Sequence, residues 1–124
     1  MNISRSFLLI GSLYLLVGIG LGSHMGASGD HTLAPVHAHI NLLGFVLMTL
    51  FGLAYRVMPA MGGGMLPKAH FWLHQAGSLL LLIGLFLMMG GMVAAESIGP
   101  VFPLAELSIL AGVVCFLVNL WRHA

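Results

Sequence analysis

Two histidines and an asparagine stand at the start of the second long apolar segment of this chain. They are His37, His39 and Asn41, and the apolar residues after them continue to Val57. Ionisable and polar side chains are costly inside hydrocarbon, so within a membrane segment they are interpreted first as functional. On an α-helix, residues two apart point about 200° away from each other, so the two imidazoles would face different neighbours. The alternative is that both histidines face lipid headgroups and water.

The divergence of the two imidazoles bears on the metal centre that they could serve. A tetrahedral zinc site needs three or four converging ligands, whereas haem iron takes one imidazole on each axial side and lets the porphyrin lie between helices. Two faces of this helix each begin with a histidine: His37, Asn41, Gly44 and Met48 on one, and His39, Leu43, Val46 and Leu50 on the other. Plain helix packing gives similar stripes, but a histidine at the head of each favours haem, with small residues such as Gly44 admitting a flat ring.

Composition sets the class of protein. Of the 124 residues, 60% are hydrophobic and 6% are charged, and the mean hydropathy is +1.08. Soluble domains carry about 25% charged residues, so this chain is predicted to be an integral membrane protein of a single domain, 1–124. The net charge of +1 forms no basic patch, so we expect no nucleic-acid partner. The single Cys115 allows no internal disulfide and is interpreted as a small packed apolar group.

Four apolar runs predict an all-α, four-helix membrane bundle, with helices over about residues 6–22, 36–57, 69–95 and 104–121. Each run approaches or exceeds the length that a bilayer-spanning helix needs, about 20 residues. Polar, turn-rich stretches separate the runs, beginning at Ser23 after the first. We interpret the first run as an uncleaved transmembrane helix, because the residues after it lack a small-x-small cleavage site.

The charges predict the orientation of the bundle. All the basic residues fall on one side of this topology: Arg5, Arg56, Lys68 and Arg122. Asp30 and Glu96 fall on the other side, and Glu106 lies just inside the fourth helix near that side. The positive-inside rule therefore predicts that both termini are cytoplasmic, in a bacterial inner membrane. His37 and His39 then lie near the outer face, with about 30 Å of hydrocarbon separating them from the histidines near the inner face.

The chain resembles subunit I of the haem–copper oxidases over its middle half. The residues that carry the resemblance are His37-Ala38-His39, the glycine-containing helix after them, Met58-Pro59, and Lys68-Ala69-His70-Phe71. They are similar to the tenth and eleventh helices of that subunit. In that family the first histidine of the pair ligates the high-spin haem and the second the low-spin haem, so the resemblance assigns these roles to His37 and His39. The run from His39 to Leu43 is also similar to the low-spin haem helix of the nitric oxide reductase branch.

The resemblance also implies an architecture. The large subunit of that family has twelve helices in three arcs of four, with the histidine-bearing helix second in each arc, and this chain looks like one such arc. It departs from the family in having neither the His-His pair nor the His-Tyr arrangement that holds copper, and few carboxylates. We therefore expect haem b, and neither copper nor proton pumping.

Six further residues are candidates for function. His70 and His74 lie one helical turn apart, with Trp72 between them. They are either interfacial anchors or part of a quinol pocket or of a second haem or metal site. His24, Asp30 and His31 are expected in a solvated outer loop, where they could accept the protons that quinol oxidation releases.

These observations predict an oxidoreductase: a membrane haem b protein that oxidises quinol and passes electrons through haem, with oxygen or nitric oxide as a candidate acceptor. Two alternatives stay open. One is a non-enzymatic haem-binding electron-transfer subunit of a respiratory complex, and the other is a haem-free membrane protein that handles a metal or a substrate.

A homo-oligomer, either a trimer or a dimer, is expected because neither histidine can close a bis-histidine site within its own chain. Under cyclic symmetry about the membrane normal, His37 of one copy could face His39 of the next. Gly11, Gly18 and Gly22 on the first helix are the candidate contact surface.

Overall fold

The computed structural model describes residues 1–123, and they form four long helices. The helices are α1 (Ile3–Ser28), α2 (Ala34–Val57), α3 (Leu66–Met89) and α4 (Val101–His123), each long and apolar enough to cross a membrane. Two short helical turns, Pro59–Gly62 and Ala95–Ile98, lie in the connections. No strand occurs within these 123 residues. The predicted all-α, four-helix membrane bundle is confirmed, and the chain is a multi-pass membrane protein.

Helix α1 is longer than the sequence predicted. It begins one turn earlier because the side chain of Asn2 caps it, accepting a hydrogen bond from the backbone N–H of Arg5 at 3.0 Å. It continues through Ser28 and ends at Gly29, whose φ of 70° lets its N–H reach back to the carbonyl of Met25. The prediction of a polar loop from Ser23 was therefore wrong, because Ser and Gly do not end a helix until a left-handed residue closes it.

The limits predicted for α3 and α4 also need correction. Helix α3 begins at Leu66 rather than near 69. Pro67 is tolerated in the first turn because backbone N–H groups there have no acceptor within the helix, so the missing N–H of proline costs no hydrogen bond. It ends at Met89 rather than near 95, because Gly90 and Gly91, the latter with a φ of 71°, close it. Pro103 is accommodated in the same way near the start of α4, so α4 begins at Val101 rather than near 104.

Helix α2 is not uniformly α-helical. Its first part, Ala34–His39, and its last part, Leu47–Val57, are α-helix, and Ile40–Val46 between them is a π-helix. We call Ile40–Val46 the π segment. Such segments are rare and frequently mark functional sites. This one begins directly after His39.

The four helices form two tightly packed hairpins, α1–α2 and α3–α4. In the first, Gly11, Gly18 and Gly22 of α1 all lie against α2. The expectation that these glycines form the contact surface with another copy is therefore wrong, because α2 of the same chain covers them. In the second, Gly112 lets α4 approach the backbone of α3 beside His70.

The two hairpins meet through a buried cluster of aromatic rings. Phe7 of α1 contacts Phe71 of α3 with ring centroids 5.0 Å apart, and Phe51 of α2 contacts Phe116 of α4 at the same separation. A hydrogen bond from the amide of Asn119 in α4 to the carbonyl of Met61 in the α2–α3 connection, 2.8 Å long, holds the hairpins together at one end.

That end of the bundle carries the basic residues. The N-terminal residues Asn2 and Ser4 line one cleft together with Arg56 and Pro59. We call this the basic end, because Arg5, Arg56, Lys68 and Arg122 all lie on the turns of helix that form it. The loops at the opposite end contain Asp30 and Glu96.

Candidate functional site

His37 lies between α1 and α2. Its ring is half-buried and packs on Gly22, where an added Cβ would lie 2.8 Å from the ring carbon Cε1. The side-chain N–H of Asn41 can only donate, so Nε2 of His37 accepts from it, at 3.3 Å. The proton of the neutral ring is then on Nδ1, which is buried without a partner. Both ring nitrogens of His37 are thus enclosed by its own chain.

The rest of the predicted cofactor face is covered in the same way. Asn41 packs against Gly18, and Gly44 is buried under the ring of Tyr14. The prediction that these residues share one face of α2 agrees with their common contact with α1. The space above Gly44, which we expected a flat cofactor to use, is filled by Tyr14 of the same chain.

His39 points the other way and is exposed. Its Nδ1 lies 2.7 Å from the carbonyl oxygen of Pro35. That oxygen can only accept, so Nδ1 carries the proton and Nε2 of the neutral ring is left with its lone pair free. His39 lies five residues after Ala34, the first residue of α2, which is about 8 Å along the helix axis.

A cleft of about 250 Å³ adjoins His39 on the surface that faces lipid. It is lined by side chains from α2, α3 and α4: His39, Leu81, Leu85, Met88, Phe102 and Glu106. Glu106 is exposed and lies five residues into α4, so it stands as deep in the bundle as His39 does in α2. Sequence reasoning used Glu106 only for orientation and missed it as a site residue. The sequence did contain a signal for it, because an acidic residue inside an apolar helix is interpreted first as functional.

His70 and His74 are completely buried, each with a relative exposure of 0%. The interpretation of these residues as interfacial anchors is therefore wrong, because neither side chain lies at the surface of the bundle. The hydroxyl of Tyr55 lies 2.9 Å from Nδ1 of His70, and Nε2 of His74 donates to the carbonyl of Leu43 at 3.1 Å. Nε2 of His70 and Nδ1 of His74 are buried without partners.

Trp72 does not join these two histidines. Its ring is 62% exposed and lines a separate apolar groove of about 670 Å³ that runs between α1 and α3. The groove also contains Gln75 and Tyr14, and Val36 and Ile40 of α2 contribute to its lining. The predicted grouping of His70, Trp72 and His74 into one pocket is wrong, because residues 70 and 74 face the bundle interior and residue 72 faces lipid.

The three outer candidates, His24, Asp30 and His31, are exposed at the end opposite the basic end. His24 belongs to the last turns of α1 rather than to the predicted loop. The pKa of Asp30 is lowered, mainly because the hydroxyl and the backbone N–H of Thr32 donate hydrogen bonds to the carboxylate. Asp30 therefore stays ionised near neutral pH and is a poorer proton acceptor than a histidine.

Comparisons with protein-family models, with curated proteins and with solved structures found no match to this chain. Among residues 1–123, no three side chains of His, Cys, Asp or Glu come together as a metal site.

Of the two predicted haem ligands, His39 fits this role and His37 does not. Imidazole ligates iron through an unprotonated nitrogen, which His39 offers at Nε2 on an open surface. His37 does not fit, because the packing against Gly22 and Asn41 leaves no approach to either ring nitrogen. Of the two histidines, only His39 is therefore placed to serve as a ligand to a haem iron.

Proposed function

We propose that this chain binds haem b through Nε2 of His39 and takes part in the oxidation of quinol. The observation that carries the proposal is the state of His39: an imidazole nitrogen with a free lone pair, inside a membrane-spanning helix, on a face that the chain itself leaves open. Such a group is costly in hydrocarbon, and ligation to iron would satisfy it. The sequence resemblance to haem–copper oxidases supports the same assignment.

A second ligand to the iron would come from a second copy of the chain, because His37 is turned toward α1. A two-fold axis along the membrane normal puts His39 of both copies at the same depth, so one haem can be held between two identical residues. This differs from the His37–His39 pairing that spacing suggested, because His37 is turned toward α1. A homodimer sharing one haem is the arrangement that the positions of the histidines favour.

When bound, haem b supplies a one-electron acceptor and donor. The residues of the chain would hold and orient it: the carbonyl of Pro35 fixes the tautomer of His39, and the apolar side chains of the cleft beside it would contact the porphyrin. If His39 of a second copy also bound the iron, the chain would act as an electron carrier. If it did not, oxygen could bind and oxidase-like chemistry would be possible.

Quinol is the proposed electron donor, and the groove between α1 and α3 is its proposed site. The groove opens toward lipid and has apolar walls suited to an isoprenoid tail. Within it, the hydroxyl of Tyr14 is buried without a hydrogen-bond partner, and the amide of Gln75 has only a 3.6 Å contact to the sulfur of Met48. Tyr14 and Gln75 are polar side chains of the groove lining, and we propose that they turn toward a quinol headgroup to hydrogen-bond it.

The orientation follows from the charges. We place the basic end, and with it both termini, in the cytoplasm of a bacterial cell. His24 and His31 then lie on the outer side, where they can accept the protons that quinol releases.

The test is the absorption spectrum of the purified protein and the amount of haem that it binds. We expect a Soret band and a b-type pyridine haemochrome in the wild type, and loss of most haem in His39→Ala. The matched control is His24→Ala, which removes another exposed histidine near the same end and should leave haem content unchanged. Absence of a Soret band in the wild type favours the haem-free alternative. Full haem in His39→Ala would remove His39 from the site.

Two measurements then separate the haem-binding alternatives. Binding of carbon monoxide to the reduced protein reports an open iron position and favours the quinol oxidase, whereas a low-spin spectrum that carbon monoxide does not change favours the electron carrier. Native mass spectrometry gives the stoichiometry, for which we expect two chains and one haem. A monomer with full haem and a bis-histidine spectrum contradicts the shared site.

A further inference from the structure

The interior of the bundle contains a row of polar side chains that the proposed haem site does not use. His70, His74 and Ser78 lie at intervals of four residues on α3, so they share one face and extend about 12 Å along the helix axis. All three have a relative exposure of 0%. Each also has a buried polar atom without a partner: Nε2 of His70, Nδ1 of His74 and Oγ of Ser78.

Three orphaned polar atoms in one row need an explanation. Buried polar groups in proteins are nearly always hydrogen-bonded, because leaving them unpaired after removal from water is costly. Where protein atoms do not satisfy them, buried water does, with each molecule typically bonded to about three polar groups. A row of this kind is therefore suited to hold a chain of water.

One end of the row reaches an open cleft. At the basic end, a cleft of about 620 Å³ is lined by Asn2, Ser4, Tyr55 and Arg56, among other residues. Tyr55 belongs both to this cleft and to the row, because its hydroxyl is hydrogen-bonded to Nδ1 of His70. It is thus the link between the outside of the bundle and the buried histidines.

Aromatic side chains from α1, α2 and α4 surround the ring of His70. Its ring centroid lies 4.4 Å from that of Phe51, 4.9 Å from Phe7, 5.2 Å from Phe116 and 5.8 Å from Tyr55. The titratable groups near these rings are Tyr55 on α2, His74 on α3 and Cys115 on α4. Helix α1 contributes no titratable group there, only Phe7.

We propose that water joins Ser78, His74 and His70 into a chain that reaches Tyr55 and the cleft, and that protons exchange along this chain between the cleft at the basic end and the two buried imidazoles. His74 shows how a step proceeds. Its Nε2–H is held by the carbonyl of Leu43, so Nδ1 is free to accept a proton from water. The imidazolium returns that proton to the next water, so only N–H and O–H bonds form and break.

The test is solid-state NMR of the full chain, labelled with ¹⁵N-histidine, in lipid bilayers. The seven histidines are assigned from single substitutions. We expect transfer of magnetisation from water to the rings of His70 and His74, and loss of most of it in Tyr55→Phe. The matched control is Tyr14→Phe, which removes a buried hydroxyl in the groove outside the row and should leave both rings unaffected.

A second variant keeps the test decisive if Tyr55→Phe does not fold. Ser78→Ala removes the far end of the row, and we expect it to weaken the transfer to His74 and to leave that to His70 intact. Two results overturn the proposal: no transfer to either ring in the wild type, which shows a dry interior, or equal transfer in the wild type and Tyr55→Phe, which shows that water does not pass Tyr55. The test needs no haem, so it is independent of the proposed function.

Discussion

Replacing Gly44 with alanine tests whether α1 covers the predicted cofactor face of α2. An added Cβ would lie 2.6 Å from Cγ and Cδ1 of Tyr14 and 2.7 Å from its Cβ. Carbon atoms normally approach to about 3.5–4.0 Å, so the contact is too short by about 1 Å. A change of rotamer does not relieve it, because Cβ of Tyr14 is fixed to the backbone. Helix α1 must therefore move away from α2.

Overpacking of this kind costs about 1–3 kcal/mol. Because backbone must move along a tightly packed helix pair, we expect a value near 2–3 kcal/mol, which is about 30- to 150-fold in the unfolding equilibrium constant. The assay is reversible unfolding of the haem-free protein in mixed micelles, followed by circular dichroism. The matched control is Gly20→Ala in α1, where an added Cβ meets nothing within 4 Å.

Two outcomes of this assay are informative. In a Tyr14→Ala background, where two of the three short contacts are gone, the cost of Gly44→Ala should shrink, and the double-mutant cycle measures the difference. Equal stability of Gly44→Ala and Gly20→Ala in the haem-free protein would refute the packing of Tyr14 on Gly44, and would return this face of α2 to the candidates for cofactor binding.

Three further predictions concern other parts of the chain. His37→Ala should preserve folding and membrane insertion but change the spin state or the amount of haem through altered α1–α2 packing, and an unchanged spectrum with unchanged stoichiometry contradicts this. Asn119→Ala should destabilise the protein by about 1–3 kcal/mol, because it leaves a loop carbonyl unpaired, whereas Ser12→Ala on the exposed face of α1 should have little effect in the same unfolding assay. The lowered pKa of Asp30 means that its contact with Thr32 contributes stability above the ordinary value of 3.8 and is lost as pH falls through the lower folded value. The amide shift of Thr32 followed by NMR should therefore titrate with a midpoint below 3.8, and a midpoint at or above it contradicts the contact.

The number and order of the helices followed from the sequence, because apolar runs of bilayer length leave few alternatives. The helix ends did not. Gly29 and Gly91 close their helices with left-handed backbone, whereas Gly18 and Gly22 stay helical, and residue type alone does not separate these cases. The π segment was likewise beyond prediction, because it depends on how α2 fits its neighbours.

The candidate site was only partly predictable. Spacing correctly separated the directions of His37 and His39, since helical periodicity fixes relative angles. The spacing did not tell whether His37 or His39 lies against α1, because that depends on how α1 packs on α2. For the same reason His70 and His74 resembled surface anchors: a histidine near a helix end is exposed or buried according to whether another helix lies over it, and here Phe7, Phe51 and Phe116 do.

The division into two hairpins has a consequence for how this protein is made. Each hairpin completes most of its helix contacts as soon as its second helix has left the ribosome, so α1–α2 is expected to insert and pack before α3 is synthesised. The α3–α4 hairpin then enters the bilayer with Phe116 of α4 against His70, but without Phe7, Phe51 and Tyr55 of the first hairpin. Until the hairpins meet, the sides of the two imidazoles that the first hairpin covers have no protein contact. Assembly in the membrane is therefore driven in part by the shielding of these two side chains, and a chain arrested before that step is the form that membrane quality-control proteases would recognise.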